Sequence, residues 1–230
     1  MEPESRSTAP GWRCRDFGRS TSLRRDQRGA SQQIGKITST NEHPVYDDGS
    51  TPLAQNLAKE GPVYYQVVSQ CVQSLKTVEV LLDKAEQFAA AKQFDVRVLL
   101  NGRLAPDMKP LIYQVQSACD YVKAAAAWLS GQTPPKHEDN EQTLEELRAR
   151  IRKTVDFAES VHEAQYEGAE GRKVSLSWVP GKVIGGEDYL LQITIPNVYF
   201  HIAMMYAVLR NGGVDVGKMD FLGPMNFVQA

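Results

Sequence analysis

The sequence predicts an all-α protein, an antiparallel four-helix bundle with a small β-hairpin before its last helix. Apolar residues recur at three- and four-residue steps in four successive segments after residue 61, which is the period of amphipathic helices. A short stretch between the third and fourth segments alternates with the period of a strand. The chain has 230 residues, 42% hydrophobic and 23% charged, so it can form one good core plus an appendage.

The first part of the chain, residues 1 to 60, has a different composition from the rest. It is rich in Gly, Ser, Thr, Arg and Asp and shows no apolar periodicity. Such a segment cannot bury enough apolar surface to offset the entropy lost on ordering. We therefore expect a disordered N-terminal tail at 1 to 60 and one helical domain at 61 to 230.

Overall composition excludes several classes of protein. The net charge of -2 gives no reason to expect a nucleic-acid partner. Three widely spaced cysteines indicate neither a disulfide framework nor a zinc knuckle, so a reducing compartment fits best. No stretch reaches the roughly 18 consecutive apolar residues of a membrane span, and the N-terminus lacks the apolar region of a secretory signal. We expect a cytoplasmic protein that has no membrane partner.

The first predicted helix follows Gly61 and Pro62 directly and continues to about Lys92. Its apolar positions lie at helical steps, namely Tyr64, Val67, Val68, Cys71, Leu75, Val78, Leu82, Ala85 and Phe88. One further turn is possible before Asn101 and Gly102 break the chain. This helix is the longest of the four.

The second predicted helix starts near Asp107, because a carboxylate suits the first turn of a helix. Pro106 and Pro110 are both tolerable close to a helix start. Its apolar stripe includes Cys119, a residue more often packed inertly in a core than used as a nucleophile. Gly131 is placed to end the helix.

The third predicted helix begins at a capping box formed by Thr143 and Glu146 and continues to about Val161. Leu144, Leu147 and Ile151 begin its apolar stripe. The other positions are charged, and we expect them to form a solvated outer face: Glu145, Glu146, Arg148, Arg150, Arg152 and Lys153.

A small hairpin and the fourth helix complete the domain. Residues 173 to 178 alternate like a strand, and glycines frame a partner strand at 182 to 184. The run from 190 to 195 is ambiguous between a strand and the first helical turns, because it is β-branched and Pro196 would kink a helix there. Residues 197 to 210 are predicted to be helical.

His201 is the histidine best placed to carry chemistry. The other three histidines lie in the tail, in a polar loop and at the end of the charged third helix. His201 sits among aromatic and apolar residues, where an imidazole needs a buried partner or a pocket. Two interpretations stay open: a core histidine bonded to a carbonyl or to Asn197, and a functional group in a pocket. Met205 and Asn197 share its helix face.

The second helix carries the other polar candidates. Asp107 and Gln114 border its apolar stripe, so antiparallel packing could bring them to His201. Asp120 projects to the opposite side, where an ion pair with Lys123 three residues later would be exposed. No serine nucleophile elbow, phosphate-binding loop or dinucleotide glycine motif occurs in the chain.

Four segments in a fixed order resemble one family. They are residues 99 to 108 (LLNGRLAPDM), 114 to 120 (QVQSACD), 196 to 201 (PNVYFH) and 217 to 223 (GKMDFLG). They are similar to an uncharacterised-domain family of the DinB/YfiT-like superfamily, over about residues 62 to 225. The resemblance implies a four-helix bundle, commonly dimeric, in a superfamily that includes metalloenzymes, thiol-dependent transferases and isomerases.

The metal-binding relatives that this resemblance implies use three histidines, one on the second helix and two spaced i, i+4 on the last. The present chain departs from that pattern, because its second helix has no histidine and the i+4 partner of His201 is Met205. We therefore predict no metal and no cofactor. The ancestral metal position would instead be a polar pocket lined by His201, Asn197, Asp107 and Gln114.

Three functions are compatible with the sequence. The first is a metal-independent isomerase or transferase that binds an unidentified small molecule, with His201 as acid/base and Asp107 as its catalytic partner. Its predicted substrate-binding residues are Asn101, Gln114, Asn197, Tyr206 and Asp120. The second is a divalent-metal-dependent thiol transferase, and the third is a non-catalytic dimeric bundle. In each case we expect a homodimer.

Overall fold

A computed structural model describes residues 63 to 229, and the predicted tail at 1 to 60 lies outside this range. The helices are α1 (Val63–Ala91), α2 (Arg97–Leu100), α3 (Leu111–Leu129), α4 (Leu144–Glu159), α5 (Gly186–Asp188), α6 (Ile195–Asn211) and α7 (Lys218–Leu222). Two strands, β1 (Lys173–Ser175) and β2 (Val183–Gly185), form an antiparallel hairpin. The predictions of a mostly helical domain and of a hairpin before the last long helix are confirmed.

Helix α3 begins at Leu111, four residues after the predicted start at Asp107. Pro110 takes the N-cap position in an extended conformation, and the chain before it forms a turn. The C-terminus of α3 ends as predicted, since Gly131 adopts a left-handed φ of 78°. The amide of Gln132 then donates to the Ala127 carbonyl at 2.7 Å, a bond that closes a Schellman motif.

Helix α4 begins at the predicted capping box. The Glu146 amide donates to Thr143 Oγ1 at 3.3 Å, and the Thr143 amide donates to Glu146 Oε2 at 2.9 Å. Two amides that a helix start leaves without partners are thereby satisfied. These bonds also hold Glu146 ionised, because the backbone amides of Gln142 and Thr143 lower the pKa of its carboxyl.

The segment between the hairpin and α6 is helical, which resolves the ambiguity left by the sequence. Residues Tyr189–Thr194 form a π-helical segment that joins α5 to α6. Pro196 lies in the first turn of α6, where its missing amide hydrogen costs little. The wider π turn before it removes the clash that a proline ring makes with an ordinary helical carbonyl.

Gly186 at the start of α5 is required by close packing. A Cβ at this position would lie 1.9 Å from the Ala169 carbonyl oxygen, which no side chain tolerates. Ala169 begins one of two short 3-10 turns, Glu163–Tyr166 and Ala169–Gly171, that follow α4. The start of α5 therefore packs tightly on this turn, with the Leu129 side chain from the end of α3 beside it.

The core lies among the four long helices, and α3 contacts α1, α4 and α6. Fully buried side chains from each of these helices fill it, including Leu75, Leu82, Leu129, Ile151 and Met205. Cys71 and Cys119 are buried there, and burial raises the pKa of their thiols to about 11 and about 12. Neither thiol is activated. Within residues 63 to 229, no helix has the length and apolar character needed to cross a bilayer.

Candidate functional site

His201 lies on the face of α6 that packs against α3. Its neighbours on that face, Val198, Ile202 and Met205, are buried in the core. The residue itself is 8% exposed, so its ring is almost but not entirely covered. Burial lowers the pKa of His201 to about 4, which keeps the imidazole neutral at pH 7.

Gln114 on α3 is the polar partner of His201. His201 Nδ1 and Gln114 Oε1 are 2.8 Å apart, and Gln114 Nε2 donates to the Lys109 carbonyl at 3.1 Å. A carbonyl oxygen can only accept, so the second bond fixes which end of the amide faces the ring. Gln114 Oε1 therefore accepts from Nδ1–H of His201.

Three aromatic rings surround the imidazole. Tyr121 stacks on it with ring centroids 5.7 Å apart and an angle of 18°. Tyr113 and Phe200 approach edge-on at 6.1 Å and 5.2 Å. We call His201, Gln114 and these three rings the His201 cluster. Tyr113 is 38% exposed and Phe200 52% exposed, so the His201 cluster reaches the surface. Lys109 Nζ lies 5.3 Å from the centre of the Tyr113 ring and adds a positive charge there.

The structure places Asp107 and Asn101 on the exposed chain before α3. No hydrogen bond joins Asp107 to His201. Asn101 Nδ2 donates to the Arg97 carbonyl at 2.8 Å, and Asn101 lines an open cavity of about 400 Å³ with Asp95 and Gln142. These two predicted site residues are not part of the His201 cluster.

Asn197 and Tyr206 lie on α6 like His201, but their side chains form hydrogen bonds with backbone carbonyls and not with His201. Asn197 Nδ2 donates to the Ile193 carbonyl at 2.6 Å, one turn back in the helical segment. The Tyr206 hydroxyl donates to the Val216 carbonyl at 3.3 Å, which ties α6 to the loop after it. Of the predicted substrate-binding residues, the structure brings only Gln114 to His201.

Asp120 belongs to a second polar cluster, the Arg150 network, that the sequence did not reveal. Arg150 was expected on a solvated face, yet it is 3% exposed. Its guanidinium lies within 3.0 Å of carboxylate oxygens of Asp120, Asp139 and Glu141. Lys123, expected in an exposed pair, is also buried and bonds Asp120 at 2.7 Å.

Glu141 connects the Arg150 network to α3. Burial acts to raise the pKa of Glu141, but bonds from Gln116 and Arg150 outweigh it, so the pKa lies below its usual value. Gln116 Nε2 donates to Glu141 Oε2 at 2.8 Å. Neighbouring His137 has a pKa lowered to about 4 by burial and then by Lys123. The Arg150 network holds the loop before α4 on the bundle.

Four cavities lie within residues 63 to 229, and His201 lines none of these four. The largest, about 520 Å³, is lined by His137, Glu141, Arg150 and Lys153. A cavity of about 330 Å³ lies between Tyr65 and Tyr166, and one of about 270 Å³ is lined by Val98 and Arg103, among other residues. A ligand at His201 would therefore bind at the aromatic surface cluster, and the small-molecule pocket stays a prediction.

The donor atoms around His201 do not fit a divalent transition metal. His201 can offer a single ligand nitrogen, Nε2, because Nδ1 is bonded to Gln114, and the i+4 residue Met205 is fully buried in the core. Among the residues that the structure describes, no three His, Cys, Asp or Glu side chains are arranged so that they could hold a metal ion together. Metals of this class need three or four nitrogen, sulfur or carboxylate ligands.

Sequence reasoning missed Tyr113 and Tyr121 as neighbours of His201. A signal for Tyr121 was present, because it follows Gln114 by seven residues and two helical turns place both on one face. No comparable signal marks Tyr113, which lies at the edge of the helix face.

Comparisons with known proteins agree with this architecture. Residues 63 to 222 match the model of a family described as a domain of unknown function, DUF1993. A crystal structure of a DinB family member from Shewanella denitrificans is 43% identical, with a TM-score of 0.71. The match covers 73% of this chain and 96% of that one. A search of curated proteins finds no match.

The family match spans more than half of the chain, and the similar structure shares its fold. The segments that suggested the relationship lie on α2, α3, α6 and α7 and in the adjoining loops. The chain therefore belongs to the DUF1993 family of the DinB/YfiT-like superfamily.

Proposed function

We propose that this chain is a metal-independent isomerase or transferase that acts on a small molecule at the His201 cluster. His201 serves as the acid/base, and Gln114 takes the orienting role assigned to Asp107 on sequence alone. The proposal depends on two hydrogen bonds of the Gln114 amide. Its Nε2 donates to the Lys109 carbonyl, and its Oε1 accepts from His201 Nδ1.

The bond to Gln114 fixes which nitrogen of the His201 ring carries the proton. Because Gln114 Oε1 accepts from Nδ1–H, a neutral His201 keeps its lone pair on Nε2. Nε2 has no hydrogen-bond partner among the residues that the structure describes. A fixed tautomer with a free lone pair is what a proton acceptor requires.

The pKa of His201 decides whether its ring can accept a proton at neutral pH. With a pKa of about 4, His201 stays unprotonated across the neutral range and can accept a proton from a bound substrate. The imidazolium that forms is a strong acid in its buried position, so it returns the proton readily. Taking and returning one proton is the requirement of an isomerisation.

A non-catalytic dimer is a second candidate. Phe200 on α6, 52% exposed beside His201, and Leu191 in the preceding π-helical segment both present apolar area at the surface. A second copy of the chain would bury such area favourably. Light scattering on the protein and on a Phe200→Ser variant tests this candidate, which predicts a dimer that the substitution dissociates.

Binding at His201 can be tested without knowing the substrate. Chelator-treated protein would be screened by NMR with a library of small carbonyl, hydroxyl and thiol compounds. We expect some compounds to shift the ring signals of His201, and we expect His201→Gln to abolish their binding. His162→Gln is the matched control, since His162 is exposed. Compounds that bind only after metal is added, or equally to the His201→Gln variant, would contradict the proposal.

A further inference from the structure

Two tyrosines on α3 contact the same histidine ring and differ in geometry. The Tyr121 ring covers one face of His201, whereas the Tyr113 ring meets it edge-on. Phe200 supplies the third ring and has no polar atom. The imidazole that carries a free Nε2 is therefore bordered by two phenols and one apolar wall.

Both phenols are available to a ligand. Within residues 63 to 229, neither the Tyr113 nor the Tyr121 hydroxyl makes a hydrogen bond, and neither residue is fully buried. This contrasts with Tyr206, whose hydroxyl is taken by a backbone carbonyl. Because both tyrosines are partly exposed, each hydroxyl can donate to a ligand without first losing a partner among the described residues.

Charge favours the protonated form of the phenol that stacks on the ring. Burial raises the pKa of Tyr121, and the nearby Tyr113 and Asp120 raise it further. At neutral pH this phenol is therefore a hydrogen-bond donor. Lys109 over the Tyr113 ring adds a positive charge next to these phenols, and a positive charge favours a substrate oxygen that becomes negative.

We propose that Tyr121, assisted by Tyr113, donates a hydrogen bond to the carbonyl oxygen of the substrate, and that the substrate is an apolar carbonyl compound with an acidic α-hydrogen. This inference rests on the proposed role of His201 and adds the substrate class and a further catalytic residue. Phe200 would contact the apolar part of the compound.

The chemical step balances without a co-reactant. His201 Nε2 takes the α-hydrogen as a proton, and the C–H bonding pair forms a carbon–carbon double bond. The carbonyl π pair moves onto oxygen, where the Tyr121 and Tyr113 hydroxyls donate to the enolate. Return of the proton from Nε2 to the same carbon gives exchange, and its return to another carbon of a conjugated enolate gives isomerisation.

Two probes test this inference. The first is uptake of deuterium from heavy water at the α-carbon of cyclohexanone, followed by NMR. The second is binding of para-nitrophenolate, an enolate analogue, followed by its absorbance. The full-length protein would be compared with Tyr121→Phe, Tyr113→Phe and His201→Gln. Tyr64→Phe is the matched control, because it removes a phenol that lies beside Glu187 rather than His201.

We expect the protein to catalyse exchange and His201→Gln to abolish it. Tyr121→Phe should slow exchange about a hundredfold, as loss of one oxyanion donor does, and weaken phenolate binding about tenfold. Tyr113→Phe should have a smaller effect on both, and Tyr64→Phe none.

Two results would overturn the inference, and they differ in what they say about His201. Exchange that needs His201 but is unchanged in both Tyr121→Phe and Tyr113→Phe would show that the tyrosines take no part in the reaction. His201 would then remain the base. If the unaltered protein neither catalyses exchange nor binds the phenolate, carbonyl compounds are excluded as its substrates. The NMR screen of the His201 ring would then decide the proposed function separately.

Discussion

The Arg150 network and the His201 cluster both bury a polar side chain against α3, but they satisfy it differently. Arg150 meets three carboxylates and two backbone carbonyls. His201 has one nitrogen bonded to Gln114 and one without a partner among the described residues. The bonds of Arg150 connect α4 to α3 and to the loop before α4, whereas the open Nε2 of His201 is the atom that the proposed function uses.

Loss of Arg150 should have the largest effect on stability. Arg150→Met leaves Glu141 buried without its cation, so the free energy of unfolding should fall by about 3–5 kcal/mol. Urea denaturation measures this change. Arg152→Met is the matched control, because Arg152 is exposed and, among the described residues, pairs with Glu145 alone, and it should cost less than about 0.5 kcal/mol. Equal losses in the two variants would show that the Arg150 network is not structural.

The pH dependence of stability should reveal the buried neutral histidine. The pKa of His201 is about 4 in the folded chain against 6.5 normally, so the unfolded chain binds more protons between these values. The free energy of unfolding therefore falls as pH drops from 6.5 to 4, by up to about 3 kcal/mol from this residue.

Urea denaturation at several pH values checks this prediction. His201→Gln should flatten the curve in that window. His137→Gln should remove a separate contribution of the same sign, because burial also lowers the pKa of His137 to about 4. A curve that is the same with and without His201 would contradict its buried, neutral state.

Much of the fold could be predicted from the sequence because each long helix carries its own periodic signal. The capping box at Thr143 and the helix end at Gly131 each involve residues close together in the chain, so the sequence predicts them directly. The start of α3 could not be placed, since Pro106 and Pro110 are both acceptable near a helix start and only packing chooses between them.

The candidate site was only partly predictable, because its bonds join residues far apart in the chain. Gln114 was identified by its place beside the apolar stripe, and it lies 87 positions from His201. The sequence places Arg150 on a charged face with Arg148, Arg152 and Lys153, whereas its partners come from α3 and from the loop before α4. Such pairings depend on tertiary packing, which periodicity does not specify.

Removal of the Gln114 amide should have an intermediate effect. Gln114→Leu leaves Nδ1–H of His201 and the Lys109 carbonyl without partners, at a cost of about 1–3 kcal/mol. Chemical denaturation compares it with Gln192→Leu, which loses only an exposed bond to Asp188. A loss no larger than that of the control would mean that water replaces Gln114 freely.

The smallest stability effect should come from the tyrosine that stacks on His201. Tyr121→Phe keeps the ring contact and removes a hydroxyl with no partner among the described residues, so the free energy of unfolding should change by less than about 0.5 kcal/mol. Thermal unfolding measures it. A larger loss would show that the hydroxyl serves the fold, and the same variant would then be a poor probe of chemistry.

The proposed role of His201 requires a neutral ring at pH 7 with its lone pair on Nε2. Long-range proton–nitrogen NMR of labelled protein reports directly which imidazole nitrogen carries the proton and at what pH the ring becomes charged. We predict a protonated Nδ1 and an unprotonated Nε2 at pH 7, with charging only near pH 4. A proton on Nε2 at pH 7 would contradict the assignment of His201 as the base, and charging near pH 6.5 would contradict its buried, neutral state.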